Sequence, residues 1–298
     1  MSDTPTELTG IYPIVYTPFD EDGRVDFDDL AAEVDYLVAA GVDGVGVAVG
    51  SEVFKLTDAE RDSVLKSVVG EVRGRIPVVM HAGAPGTDVA VGYARQAAEL
   101  GADALMVTPP SFLPVPPEVV VEHYRRIADA GSLPVFIQDI WTSPIAPALA
   151  VRIAREVPLA RYAKAETPPT PDRTAELKAL GGDDVTVFGG FGGVNFVPEL
   201  RRGSVGTMPG PAVPEAFVTA WTLWQVGDEA GADAVMEQVA PLLMLLMRSL
   251  DGSYHLTKEI LRRRGVIRST GVRMPTSRPD ETAYREVARL MDRMNFAS

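Results

Sequence analysis

Eight short apolar runs, each followed by a helix-like stretch, restrict this chain to very few folds. The runs are GIYPIVYT (10–17), VGVAVG (45–50), PVVMHAG (77–83), ALMVTP (104–109), PVFIQD (134–139), ARYAKAE (160–166), VTVFGG (185–190) and VGTMPG (205–210). Several are apolar at nearly every position. A strand reads this way when both its faces are covered, as in a parallel sheet with helices packed on it. Helical spacing fills the intervals. Residues 26–40 place Leu30, Val34, Leu37 and Val38 on one stripe, and Thr57 with Glu60 three positions on predicts a capping box. Segments 86–100, 117–130, 146–156, 171–180, 196–202 and 214–226 complete the alternation.

Eight β–α units within the first 226 residues predict an α/β chain folded as a (β/α)8 TIM barrel. An open, doubly wound sheet is the competing arrangement. It normally carries a glycine-rich phosphate turn after its first strand, and YTPFDEDG is not one. Beyond residue 226 the pattern is helical alone, over 230–250, 254–264 and 280–295. The expected organisation is therefore a barrel domain, 1–226, followed by a C-terminal helical extension, 227–298.

Composition removes several classes of partner. The net charge of -13 repels phosphate backbones, so no nucleic acid is expected. The chain has no cysteine, which excludes disulfides and thiolate chemistry and fits a cytoplasmic protein. No apolar run approaches the ~18 residues of a membrane span, and the opening MSDTPTELTG carries no apolar signal segment. The longest run, VAPLLMLLM (239–247), reads as a buried helix face or a subunit contact, and self-association into a dimer or tetramer is expected. His81, His123 and His255 share no ligand spacing, so no metal is expected.

In a barrel of parallel strands, chemistry sits at the C-terminal strand ends. Among the five lysines, Lys66 and Lys178 fall on amphipathic helices, Lys55 in a loop and Lys258 in the C-terminal region. Only Lys164 stands on a barrel strand, between Ala163 and Ala165. An ammonium group taken out of water gives up its proton more readily, and the free amine attacks carbonyls. The plainer reading is a strand-end lysine paired with Glu166, which alternation places on the same face. His81 ends the third run as an acid–base candidate or a satisfied pocket histidine. In VAVGSE the amides of Gly50 and Ser51 and the Ser51 hydroxyl can hold a carboxylate. The glycines of FGGFGG (188–193) either bring backbone amides toward an anion or let the chain turn tightly beneath a ligand.

These residues form a set. IYPIVYTPFDEDGRVDF, the strand-six lysine and RRGSVGTMPG resemble the dihydrodipicolinate synthase and N-acetylneuraminate lyase family over essentially the whole chain. The resemblance implies a (β/α)8 barrel, commonly tetrameric, whose strand-six lysine, here Lys164, forms a Schiff base with a 2-keto acid. It implies no cofactor beyond that covalent imine. Two positions depart from the family pattern. Its Gly-Thr-Thr-Gly-Glu stretch is here Ala48-Val49-Gly50-Ser51-Glu52, and the usual strand-five tyrosine is Gln138, which cannot act as a general acid or base. SEVFKLTDAER (51–61), Gln138-Asp139, KAETP (164–168) and LTKEILRRRGVI (256–267) resemble the 2-keto-3-deoxy-L-arabonate dehydratase branch. The implied reaction is dehydration of a 2-keto-3-deoxy sugar acid. Lys164, Gln138 and Glu166 would be catalytic, while Gly50, Ser51, Gly190, Met208 and His81 would contact substrate. Retro-aldol cleavage releasing pyruvate, or a keto-acid-binding barrel without catalysis, are the alternatives.

Overall fold

The computed structural model describes residues 7–294. All eight predicted strands are present: β1 (Gly10–Ile11), β2 (Val45–Val47), β3 (Val78–His81), β4 (Ala104–Val107), β5 (Val135–Asp139), β6 (Tyr162–Ala165), β7 (Thr186–Gly189) and β8 (Ser204–Thr207). Every neighbouring pair is parallel, and β1 pairs with β8. The ring closes beyond the short β1. There the Gly46 amide donates to the Pro13 carbonyl, and the Val15 amide to the Gly46 carbonyl, each at 2.9 Å. Pro13 cannot donate, which interrupts β1 as a regular strand although the apolar run continues to Thr17. The structure is a TIM barrel.

Eight helices alternate with the strands: α1 (Phe27–Ala39), α2 (Asp58–Val72), α3 (Thr87–Glu99), α4 (Pro117–Gly131), α5 (Pro147–Glu156), α6 (Thr170–Gly181), α7 (Phe196–Leu200) and α8 (Pro214–Gln225). The capping box forms as expected. The Glu60 amide donates to Thr57 Oγ1, and the Thr57 amide donates to the Glu60 carboxylate at 2.9 Å. Alternation along each strand divides the core in two. Tyr12, Ile14, Val79, Phe136, Tyr162 and Phe188 fill the barrel, while strand residues of the other parity pack under the helices. Phe136 and Tyr162 stack at 4.8 Å between centroids, plugging the lower barrel below Gln138 and Lys164. Each such aromatic contributes roughly 1.5–3 kcal/mol of burial.

Three further helices follow: α9 (Glu229–Leu246), α10 (Leu250–Arg263) and α11 (Glu281–Arg293). Asn295, the predicted end of the last helix, lies outside the described residues. Leu242, Leu243, Leu245 and Leu246 are at most 5 % exposed within the chain, while Met244, at 55 %, and Pro241 point outward. The VAPLLMLLM run is thus chiefly a buried helix face, and part of it reaches the barrel mouth. Among the described residues no helix is long and apolar enough to cross a membrane.

Candidate active site

β5 and β6 run side by side with Gln138 in register with Lys164. Both side chains point to the barrel axis at the C-terminal end, as does Glu166 one step further. Lys164 is 3 % exposed and its Nζ lies 3.0 Å from Glu166 Oε1. Gln138 Nε2 donates to Glu166 Oε2 at 2.7 Å, and the Phe191 amide to Glu166 Oε1 at 3.3 Å. Three donors therefore fix one carboxylate beside one amine. With its amide nitrogen turned to Glu166, Gln138 leaves Oε1 buried and without a partner.

This cluster opens on a pocket at the barrel mouth that encloses about 60 Å³ and continues into open solvent. Of the residues expected at the site, Lys164, Glu166, Gln138, Gly50 and Met208 line it. Gly50 has no space for a side chain: an added Cβ would lie 2.9 Å from Ile14 Cγ2.

Ser51, Gly190 and His81 are placed otherwise. After β2 the chain enters a 3-10 turn, Val49–Ser51, that folds the serine back. Its hydroxyl accepts from the Ala48 amide at 3.0 Å and donates to the Val15 carbonyl, so it is committed to backbone and does not line the cavity. Gly190 supports Glu166: a Cβ there would collide with Glu166 Cγ at 2.1 Å. His81 lines a second cavity with Arg61 and Thr108, separated from the first by Val49, Ile140 and Leu250, which border both. Neither ring nitrogen has a partner. Burial, with the positive charges of Arg61 and Lys164, pushes its pKa down to about 3, so the imidazole is neutral near pH 7.

Several contributors had no single-residue signature in the sequence. Asp139 faces away from the barrel axis, where it accepts from the Ile145 amide at 2.9 Å, Thr167 Oγ1 at 2.8 Å and Arg173 at 3.0 Å. The Glu166 amide donates to its carbonyl at 2.8 Å. Gln138-Asp139 and KAETP are therefore one structural unit, with the inward residues at the cavity and the outward ones tying the loops. Tyr16, Ser253 and Thr257 also line the cavity, the last two from α10. Among the described residues, no group of three His, Asp or Glu side chains is placed to hold a metal ion.

The model of the dihydrodipicolinate synthetase family matches residues 7–294. The chain belongs to this family. Among relatives of that lyase family, it is 32% identical to the L-2-keto-3-deoxyarabonate dehydratase of Azospirillum brasilense, over 98% of this chain and 96% of the relative. It is 29% identical to the 4-hydroxy-tetrahydrodipicolinate synthase of Haloarcula marismortui, over 88% of this chain and 86% of that one. The crystal structure of dihydrodipicolinate synthase from Rhodopseudomonas palustris superposes with a TM-score of 0.88 at 25% identity, covering 96% of this chain and 97% of that one. The Lys164–Glu166–Gln138 cluster lies at the C-terminal end of the barrel strands.

Proposed function

We propose that the chain is a Schiff-base lyase that dehydrates a 2-keto-3-deoxy sugar acid. The observation that carries this reading is a buried amine, Lys164, held 3.0 Å from the Glu166 carboxylate at the wall of the pocket in the barrel mouth. The likeness to the Azospirillum brasilense dehydratase supports it, and so does Gln138 at the strand-five end.

Glu166 accepts a proton from Lys164, and the free amine attacks C2 of the keto acid. The C2 oxygen takes one proton from the attacking amine and the one held by Glu166 and departs as water, leaving Glu166 a carboxylate again and a protonated imine that withdraws electrons from C3. Glu166 takes a C3 proton, giving an enamine. The enamine electrons return and expel the C4 hydroxyl, which leaves as water with the proton Glu166 returns. Addition of water frees Lys164, so the net change is loss of one water. Gln138 orients Glu166 with its amide nitrogen and presents Oε1 to substrate or water; it moves no proton itself. The scheme uses no group beyond the chain and its substrate.

Borohydride reduction with pyruvate or a 2-keto-3-deoxy acid should leave a stable adduct on Lys164, located by peptide mass spectrometry. Absence of that adduct sinks the imine mechanism. A product 18 mass units lighter, with no pyruvate released, supports dehydration. Pyruvate release would turn the reading to retro-aldol cleavage, and an adduct without any product to a binding barrel. Light scattering checks the self-association expected of the chain, as a dimer or tetramer.

A further inference from the structure

The extension contributes to the same cavity. In the ring order β1 lies across the barrel from β5 and β6, so Tyr16, following β1, faces the Lys164 cluster from the far wall. α10 lies against that wall. Tyr16 Oη and Ser253 Oγ are 2.8 Å apart, and either can donate. One helical turn on, Thr257 lines the same cavity. It is 1 % exposed, and its hydroxyl stands beside the Tyr16 phenol without meeting hydrogen-bond geometry, so Oγ1 is buried and unpartnered. Such a group costs free energy unless something completes it.

The second stripe of α10 holds this wall still. Tyr254 Oη donates to the Val49 carbonyl at 2.9 Å, and Lys258 Nζ lies 2.6 Å from Glu52 Oε1. Both anchors grip the loop that carries Gly50. Positions 253 and 257 thus face the cavity while 254 and 258, each one residue later, clasp β2's loop. This assigns a role to the LTK stretch that the reaction scheme leaves unused.

We infer that Ser253 and Thr257, with Tyr16, bind the hydroxylated end of the substrate and make α10 the specificity-determining wall. The inference rests on the imine reading, since Lys164 fixes where C2 must lie. Among the described residues Lys164 is the one cationic side chain lining the cavity. A wall of neutral hydroxyls suits a chain of alcohols rather than a phosphorylated one. Burial also pushes the Tyr16 phenol up to about 12, so it meets the ligand protonated, as a donor.

The test compares two ligands that share the carboxylate and carbonyl but differ in hydroxyls. For Thr257→Val, the ratio of kcat/KM on an unphosphorylated 2-keto-3-deoxy pentonate to the rate of borohydride-trapped adduct formation with pyruvate should fall about tenfold, the effect of one lost hydrogen bond. Thr257→Ser, which keeps the hydroxyl, should restore most of the ratio. Ser253→Ala gives an independent reading should Thr257→Val not fold. An unchanged ratio, or equal losses on both ligands, overturns the assignment. Failure of the unaltered protein to trap pyruvate overturns the Lys164 reading, and the assignment falls with it.

Discussion

Among the described residues, buried lysine–glutamate ion pairs gather at two places, around Glu166 and around Glu52, and their surroundings differ. Lys164 pairs with Glu166 at 3.0 Å, and Lys258 with Glu52 at 2.6 Å; their side chains are 4 % and 0 % exposed. Burial alone would not tell them apart. Lys258 Nζ also donates to the Gly271 carbonyl at 2.8 Å and lies 4.5 Å from the centre of the Phe19 ring, while Glu52 is shared with Lys55 at 2.9 Å. That ammonium is enclosed by its partners and lines neither of the two cavities described above. Lys164 has one ion-pair partner and a cavity in front of it. The difference teaches that burial and an ion pair are not enough to tell two lysines apart, and that access is: one is closed in by fixed partners, the other borders an open pocket.

Exchanging the amine should break the contrast most plainly. Lys164→Met should remove turnover by at least about 1,000-fold and abolish borohydride trapping in protein shown to be folded by circular dichroism, in which Glu166 keeps Gln138 and the Phe191 amide as donors. At the other pair, Glu52→Gln leaves Lys258 buried without its carboxylate. Urea unfolding should then show a loss of about 3–5 kcal/mol, while protein that remains folded still forms the Lys164 adduct. If Glu52→Gln abolished trapping in folded protein, the separation of roles would fail. Glu166→Gln should lower turnover about 100-fold, as expected for loss of a general acid–base, yet still allow a slower-forming adduct. Loss of the adduct altogether would make Glu166 necessary for imine formation rather than for the later proton transfers.

Much of this was legible in the sequence, for identifiable reasons. Strand alternation has period two, so Lys164 and Glu166 had to share a face, and adjacent barrel strands had to bring Gln138 beside them. What misled was local geometry at β2. The 3-10 turn rotates Ser51 onto the Val15 carbonyl, a detail no strand pattern carries. His81 has the correct parity for the barrel interior, but Val49, Ile140 and Leu250 place it in the neighbouring cavity. The part played by α10 was hidden because no short-range signal says where a helix from the extension docks. Ser253, Tyr254, Thr257 and Lys258 are all buried, which no pattern within the helix announces.

The last expected effect is read only as a pH dependence and concerns a carboxylate near Lys258. Glu33 on α1 is fully buried; its Oε1 accepts from the Tyr16 amide at 2.7 Å, and its Oε2 has no partner. Burial raises its pKa from 4.5 to about 8, against the opposing pull of the Tyr16 amide and the Lys258 charge. The unfolded chain loses this proton near pH 4.5 while the folded chain keeps it, so unfolding releases a proton between those values. The contribution to stability is complete below pH 4.5 and is lost as pH rises toward about 8. Glu33→Gln keeps an acceptor for the Tyr16 amide and removes the titration. From pH 5 to pH 8 its Tm should fall by about 5 °C less than that of the unaltered chain. Equal falls would mean that Glu33 is already ionised, held by Lys258, and that the second lysine pair extends to a further carboxylate.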